Sequence, residues 1–204
     1  MKMKAAFAVG YMFVVTAVFS FLIIGVARST QQRVDANQRL SMEKAVLNVF
    51  PGITYSSDAE AHKIFEEKFQ QPSDAGGAWV YMKDDTVAGY AVPISGKGFW
   101  ATIKGIVGIG PDRQTVTGIS FYQQSETPGL GARITEPFFR DQFQGLKLGA
   151  PGQPIGMRSP GSELSPGQVH AISGATQTCI RLEKLMNDDL REWMQKMSGK
   201  EATP

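Results

Sequence analysis

Ala78-Trp79-Val80-Tyr81-Met82-Lys83-Asp84-Asp85-Thr86-Val87-Ala88-Gly89-Tyr90-Ala91-Val92 is the stretch from which the fold is read. Two runs rich in β-branched and aromatic residues, 78–83 and 86–92, flank a pair of aspartates, so the segment reads as a β-hairpin. Residues 99–109 and 115–123 repeat the pattern around Gly110-Pro111-Asp112-Arg113 and read as a second hairpin. Gly89, Gly105, Gly108 and Gly118 interrupt these runs, as glycines do where a strand bulges or another group approaches its backbone. Helical periodicity lies on both sides. Leu182, Leu185, Met186, Leu190, Trp193, Met194 and Met197 form one apolar stripe near the C-terminus. Residues 58–70 predict a shorter helix capped by Asp58, with Ile64, Phe65 and Phe69 turned inward and Glu66, Glu67 and Lys68 on a solvated face. Residues 145–167, carrying Pro151, Pro154, Pro160 and Pro166, read as loop. The expected class is α+β, a twisted antiparallel sheet with helices packed on it.

Upstream, residues 5–27 carry no charge and predict a helix roughly 34 Å long, enough to cross a hydrocarbon core about 30 Å thick. The run exceeds the roughly 7–15 apolar residues of a signal-peptide core, which favours a retained anchor over a cleaved leader. Lys2 and Lys4 precede it while Arg28, Arg33 and Arg39 follow, so charge gives no orientation. The expected division is a transmembrane anchor over 1–28, a helical stalk over 29–52 stopped by Pro51-Gly52, and a folded domain over 53–204.

Composition removes several chemistries. A formal net charge of +2 offers no basic surface for nucleic acid. Cys179 is the single cysteine, which excludes an internal disulfide, a thiolate-held iron–sulfur cluster and a cysteine zinc site. His62 and His170 are the only histidines and lie far apart in the chain. No nucleophile elbow, phosphate loop or His-Glu-x-x-His pattern is present. Any redox cofactor must therefore be organic or come from a partner.

Two segments stand out. Ser125-Glu126-Thr127-Pro128-Gly129-Leu130-Gly131 follows the last predicted strand, and His170-Ala171-Ile172-Ser173-Gly174-Ala175-Thr176-Gln177-Thr178 precedes the last helix. The second is a small-residue loop opening a helix, where unpaired amides and the positive end of the macrodipole suit a phosphate. Its plain alternative is that Ser173 or Thr176 is only an N-cap, which local chemistry favours. The first fits a type II turn with Gly129 at positive φ, although a turn needs neither Glu126 nor a second glycine after Leu130. A hydrolase built on Ser173 or Thr176 lacks a nearby base.

Glu126-Thr127-Pro128-Gly129-Leu130-Gly131 followed by Ser173-Gly174-Ala175-Thr176-x-Thr178 resembles the FMN-binding domain family. Within it the chain is similar to the C subunit of the sodium-translocating NADH:quinone reductase and to the G subunit of the Rnf complex. Gly96-Lys97-Gly98-Phe99-Trp100, Phe138-Phe139 and Phe143-Gln144-Gly145 extend the likeness. The resemblance implies FMN joined through its phosphate to Thr176 by a FAD-dependent flavin transferase. Ser173, Gly174, Ala175 and Thr178 would lie on the phosphate and ribityl side, and Glu126, Thr127, Leu130 and Gly131 on the isoalloxazine side. It also implies a one-electron relay among the other subunits of a respiratory, ion-translocating complex in a prokaryotic inner membrane, with the domain on the outer, periplasmic face and the helix in the lipid bilayer. One departure bears on this. The family pattern has Asp three residues before the serine, where this chain has His170, and a milder one puts Cys179 where Ser is common. The alternative expectation is a non-redox assembly subunit without covalent flavin.

Overall fold

A computed structural model describes residues 2–71 and 75–198 and falls into two compact units, one over 1–39 and one beginning at Leu40. The first unit is helix alone, part of α1 (Lys2–Asn48). Among the described residues α1 is the one helix long and apolar enough to cross a membrane, and Phe7, Phe13, Phe21 and Ile23 are all exposed on it. The helix ends three residues before Pro51 with no interruption along its length.

In the second unit, α2 (Asp58–Lys68) leads into β1 (Phe69–Gln70), then β2 (Trp79–Lys83), β3 (Thr86–Lys97), β4 (Thr102–Ile109) and β5 (Val116–Gln123). These five strands form one antiparallel sheet in sequence order. The first hairpin turns where expected: Asp84 and Asp85 take φ of 50° and 58°, the left-handed pair of a tight two-residue turn. β3 runs on to Lys97, and its residues from Tyr90 to Lys97 pair with the whole of β4, which joins the two expected hairpins into a single meander. β4 starts at Thr102 and not at residue 99. The reason is a tight turn, closed by the Gly98 amide donating to the Ala101 carbonyl at 2.8 Å, which takes Phe99 and Trp100 out of the ladder.

The cap of α2 is also corrected. Ser57 is the N-cap, its hydroxyl accepting from the Glu60 amide at 3.2 Å, while the Glu60 carboxylate accepts from the Ser56 amide at 2.7 Å. Asp58 is the first helical residue, where its charge still suits the macrodipole. Past β5 come a 3₁₀ turn (Gly131–Thr135), α3 (Pro137–Arg140) and a second 3₁₀ turn (Asp141–Phe143). The region expected to be all loop contains β6 (Gly156–Arg158), which pairs in parallel with β7 (Gln168–His170). The chain closes with α4 (Thr176–Ser198).

Strand alternation divides the core. Tyr90, Val92 and Ile94 of β3, with Ile103 and Val107 of β4, face the α4 stripe. Trp193 is its largest member, with its indole donating to the Ala75 carbonyl at 3.2 Å; burying it contributes about 3 kcal/mol. The opposite face, with Ala91 and Ile106, meets Val46, Val49 and Phe50 at the end of α1 and Phe65 and Phe69 from α2 and β1. Gly108 is required there, since a Cβ would lie 2.8 Å from the Val49 side chain. The Thr117 hydroxyl fastens the same spot by donating to the Val49 carbonyl at 2.6 Å. Asn187 of α4 binds both main-chain groups of Ile155, accepting from its amide at 2.8 Å and donating to its carbonyl at 2.7 Å.

At the β4–β5 turn, Asp112 accepts from the Thr115 hydroxyl and amide, from the Gln114 amide and from Lys147 Nζ at 3.0 Å. Those bonds, the Thr115 hydroxyl first, hold its carboxyl well below the usual carboxylate range. Because the folded-state value is depressed, this stabilisation is fully present above the unfolded value near pH 4 and is lost as pH falls below it. Asp112→Asn is therefore expected to be less stable than wild type at pH 7, with the gap closing in acid. Urea midpoints measured from pH 7 down to pH 2 check this.

Candidate functional site

The two sequence motifs meet around one buried carboxylate. Glu126, only 5% exposed, lies just past β5. Its Oε1 accepts from the amides of Phe99 and Trp100 at 2.9 and 3.1 Å, and its Oε2 accepts from the Thr178 hydroxyl at 2.6 Å. A single side chain thus joins the β3–β4 turn, the segment after β5 and the first turn of α4. A buried carboxylate is tolerated only when its lone pairs are met, and here three donors meet them.

Gly131 seals the arrangement from the side. A Cβ there would stand 2.4 Å from Thr178 Oγ1 and 3.0 Å from Glu126 Oε2. The turn before it has the expected form, with the Leu130 amide donating to the Thr127 carbonyl at 3.1 Å and Gly129 at φ 74°. Trp100 Nε1 donates to Thr127 Oγ1 at 2.9 Å. Leu130, 43% exposed, reaches across so that a Cβ on Gly174 would meet its Cδ2 at 3.1 Å; Gly174 itself has φ 78°. The second motif is thereby packed against the first.

At the start of α4 the cap reading fails. The residue before the helix is Ala175, whose methyl accepts no hydrogen bond. The first intrahelical bond runs from the Cys179 amide to the Ala175 carbonyl at 3.0 Å, so the amides of Thr176, Gln177 and Thr178 precede it. Thr176 is the exposed first residue of the helix, and Ser173 and Gly174 are exposed beside it. These residues line a groove of about 270 Å³ with Arg158, Ser159, Pro160 and Ile180.

The nine residues singled out in the sequence therefore divide by position. Thr176, Ser173 and Gly174 line the groove, and Leu130 and Thr127 are exposed next to it. Glu126, Gly131, Ala175 and Thr178 are buried and brace the others. The Thr178 hydroxyl is engaged by Glu126 and not turned to the groove. Cys179 is buried and accepts from the Ile172 amide at 3.3 Å; burial pushes its thiol up, that bond acting against the shift, so it stays neutral near pH 7. His170 is fixed through its backbone, its amide donating to Gln142 Oε1 at 2.7 Å, while its ring Nδ1 lies 3.4 Å from the Ser159 carbonyl.

Sequence reasoning missed Arg158 and Arg181. Arg158 comes to the groove on a three-residue strand that leaves no periodic signal. Arg181 stands three residues after Thr178 on α4, a spacing that places it on the same side of the helix.

Residues 98–191, which contain both motifs and the turn that Glu126 holds, match the FMN-binding domain family. The match places the likeness to that family in this segment of the chain. Among curated relatives, the chain is 32% identical over 159 residues to the C subunit of the Na(+)-translocating NADH-quinone reductase of Pasteurella multocida, covering 74% of this chain and 56% of that one. It is 42% identical over 85 residues to the corresponding protein of Chlamydia pneumoniae, covering 42% of this chain and 27% of that one. The chain thus spans about half, or less, of the length of these relatives. In fold it is similar to the crystal structure of the C subunit from Parabacteroides distasonis, with a TM-score of 0.69 at 23% identity, covering 84% of this chain and 96% of that one. The crystal structure of NqrC from Shewanella oneidensis gives a TM-score of 0.68 at 20% identity, covering 82% and 100%.

The residues at the α4 start suit FMN on their own chemistry. Leading amides to which no side chain among the described residues bonds, two exposed hydroxyls and Arg158 make a phosphate-accepting end. Exposed Leu130, Phe99 and Trp100 offer apolar surface for a flat ring. If Glu126 is the brace described, Glu126→Ala strands three donors and costs about 3 kcal/mol, while Glu126→Gln, still an acceptor for the two amides, costs about 1 kcal/mol. Urea unfolding of both variants measures the order; equal costs would contradict the bracing role.

Proposed function

We propose that this chain is a membrane-anchored flavoprotein subunit that carries FMN, phosphoester-linked to Thr176, and passes electrons within an NADH–quinone reductase type of ion-translocating complex. The observation that carries this reading is exposed Thr176 at the first residue of a helix that follows Ala175, against a loop that the second motif packs on. The relatives from Pasteurella multocida and Chlamydia pneumoniae support the kind of complex and the other subunits as partners.

Each group of residues has a task in this scheme. The Thr176, Gln177 and Thr178 amides and the α4 macrodipole favour a phosphate's charge, and Arg158 adds a cation at the same groove. Phe99 and Trp100 pack edge to face, and with exposed Leu130 they offer apolar surface to a neighbouring ring. Glu126 keeps the three segments in register. When bound, FMN supplies the electron-transfer chemistry for which the chain's own side chains are unsuited. The tether keeps the cofactor from being lost on an exposed, outer-face domain, and a FAD-dependent flavin transferase installs it. The long apolar helix anchors the subunit in the bilayer of a prokaryotic inner membrane; its exposed Phe and Ile side chains suit lipid contact.

Intact mass and in-gel flavin fluorescence on denatured protein, made with its own flavin transferase, test the proposal. Wild type is expected to gain one FMN less water and Thr176→Val to gain nothing. Yellow native protein without added mass would mean a non-covalent flavoprotein. A colourless chain of unmodified mass would overturn the relay and favour the assembly-subunit role.

A further inference from the structure

Arg181 carries a charge that no carboxylate among the described residues meets within ion-pair distance. Its Nε is buried without a hydrogen-bond partner among them, an arrangement that native structures rarely leave unexplained. Its guanidinium carbon lies 5.5 Å from the centroid of the Phe99 ring. That same Phe99 donates its amide to Glu126 at 2.9 Å, so one residue touches both an unpaired cation and the buried carboxylate. Glu126 has its oxygens filled by two amides and a hydroxyl. Phe99 and the adjacent Trp100 are 42% and 65% exposed and form the apolar surface on this side of the site. Arg158, not Arg181, lines the groove that Thr176 opens into, so the phosphate end has a cation of its own. Arg181 belongs to the Phe99 end.

We propose that Arg181 is the residue that sets the electron affinity of the flavin, its guanidinium acting as the fixed positive charge toward the isoalloxazine ring. This inference rests on the flavin reading above. Taking up two electrons from a donor and one proton from solvent leaves the ring with a net negative charge. A nearby cation favours that product over the neutral oxidised ring, while Glu126 alone would oppose it. A planar, weakly hydrated guanidinium lying over an aromatic surface suits this task better than an ammonium. Arg181 is thus a positioning and tuning residue for the cofactor and has no part in attaching it.

The test uses the full-length flavinylated protein in detergent, as wild type, Arg181→Gln, Arg181→Met and Arg181→Lys. Each is titrated with dithionite against an indicator dye of known potential, and flavin content is read by intact mass. The Met variant keeps an apolar stem over Phe99 in case Gln disturbs packing. Both neutral variants are expected to retain full flavin content, with the reduced-to-oxidised ratio at a fixed ambient potential falling roughly tenfold. Arg181→Lys, which keeps the charge but not the planar stacking, is expected to fall between wild type and the neutral variants. An unchanged ratio in both neutral variants, on a flavinylated wild type, overturns the inference and leaves the proposed function standing. Loss of flavin content with an unchanged ratio also overturns it, by assigning Arg181 to attachment. A wild type without flavin overturns the proposed function, and this inference with it.

Discussion

A carboxylate removed from water has to be surrounded by donors, and the site exists because Glu126 finds them in two places far from it in sequence. Two come from the turn at residues 98–101 and one from the first turn of α4. None of the three segments has an internal reason to meet the others. The turn at 98–101 reverses the chain between β3 and β4, and it needs glycine at 98, where a Cβ would stand 2.6 Å from Glu126 Oε1. Gly131 and Gly174 follow the same logic, with small residues wherever the brace or Leu130 passes close. The meander and α4 supply a stiff frame, and the carboxylate sets where the loops stand on it.

What could be read from the sequence was what repeats. The Asp84-Asp85 turn between two β-rich runs and the α4 stripe have periods that survive any tertiary detail, and the structure has both. The FMN-binding motifs were likewise visible, and the family match spans them. Whatever depends on one contact was not readable. β6 and β7 have three residues each, too few for alternation to register. The β3–β4 pairing was hidden because Phe99 and Trp100 look like strand residues until Glu126 claims their amides. Ser57 took the cap from Asp58 because Glu60 was placed to answer it.

The site residues show the same limit in another form. Sequence placed Glu126 and Thr178 among residues lining a ligand, by their motif, but a motif does not say which members face outward. In the structure these two face each other at 2.6 Å, and exposure falls to Thr176, Ser173 and Leu130. Arg158 and Arg181 had no motif at all. Both arrive through geometry, one on a short strand and one three residues along a helix from Thr178.

The bond between Glu126 and Thr178 spans 52 positions of chain. During synthesis the carboxylate leaves the ribosome well before its third donor, and the two turn amides alone leave Oε2 unanswered until α4 has been made. A nascent chain stopped short of residue 178 therefore lacks both the third donor and the α4 stripe that covers one face of the sheet. The hydroxyl of Thr176 is presented on its helix only once α4 is in place, so this surface is absent at every earlier stage of synthesis.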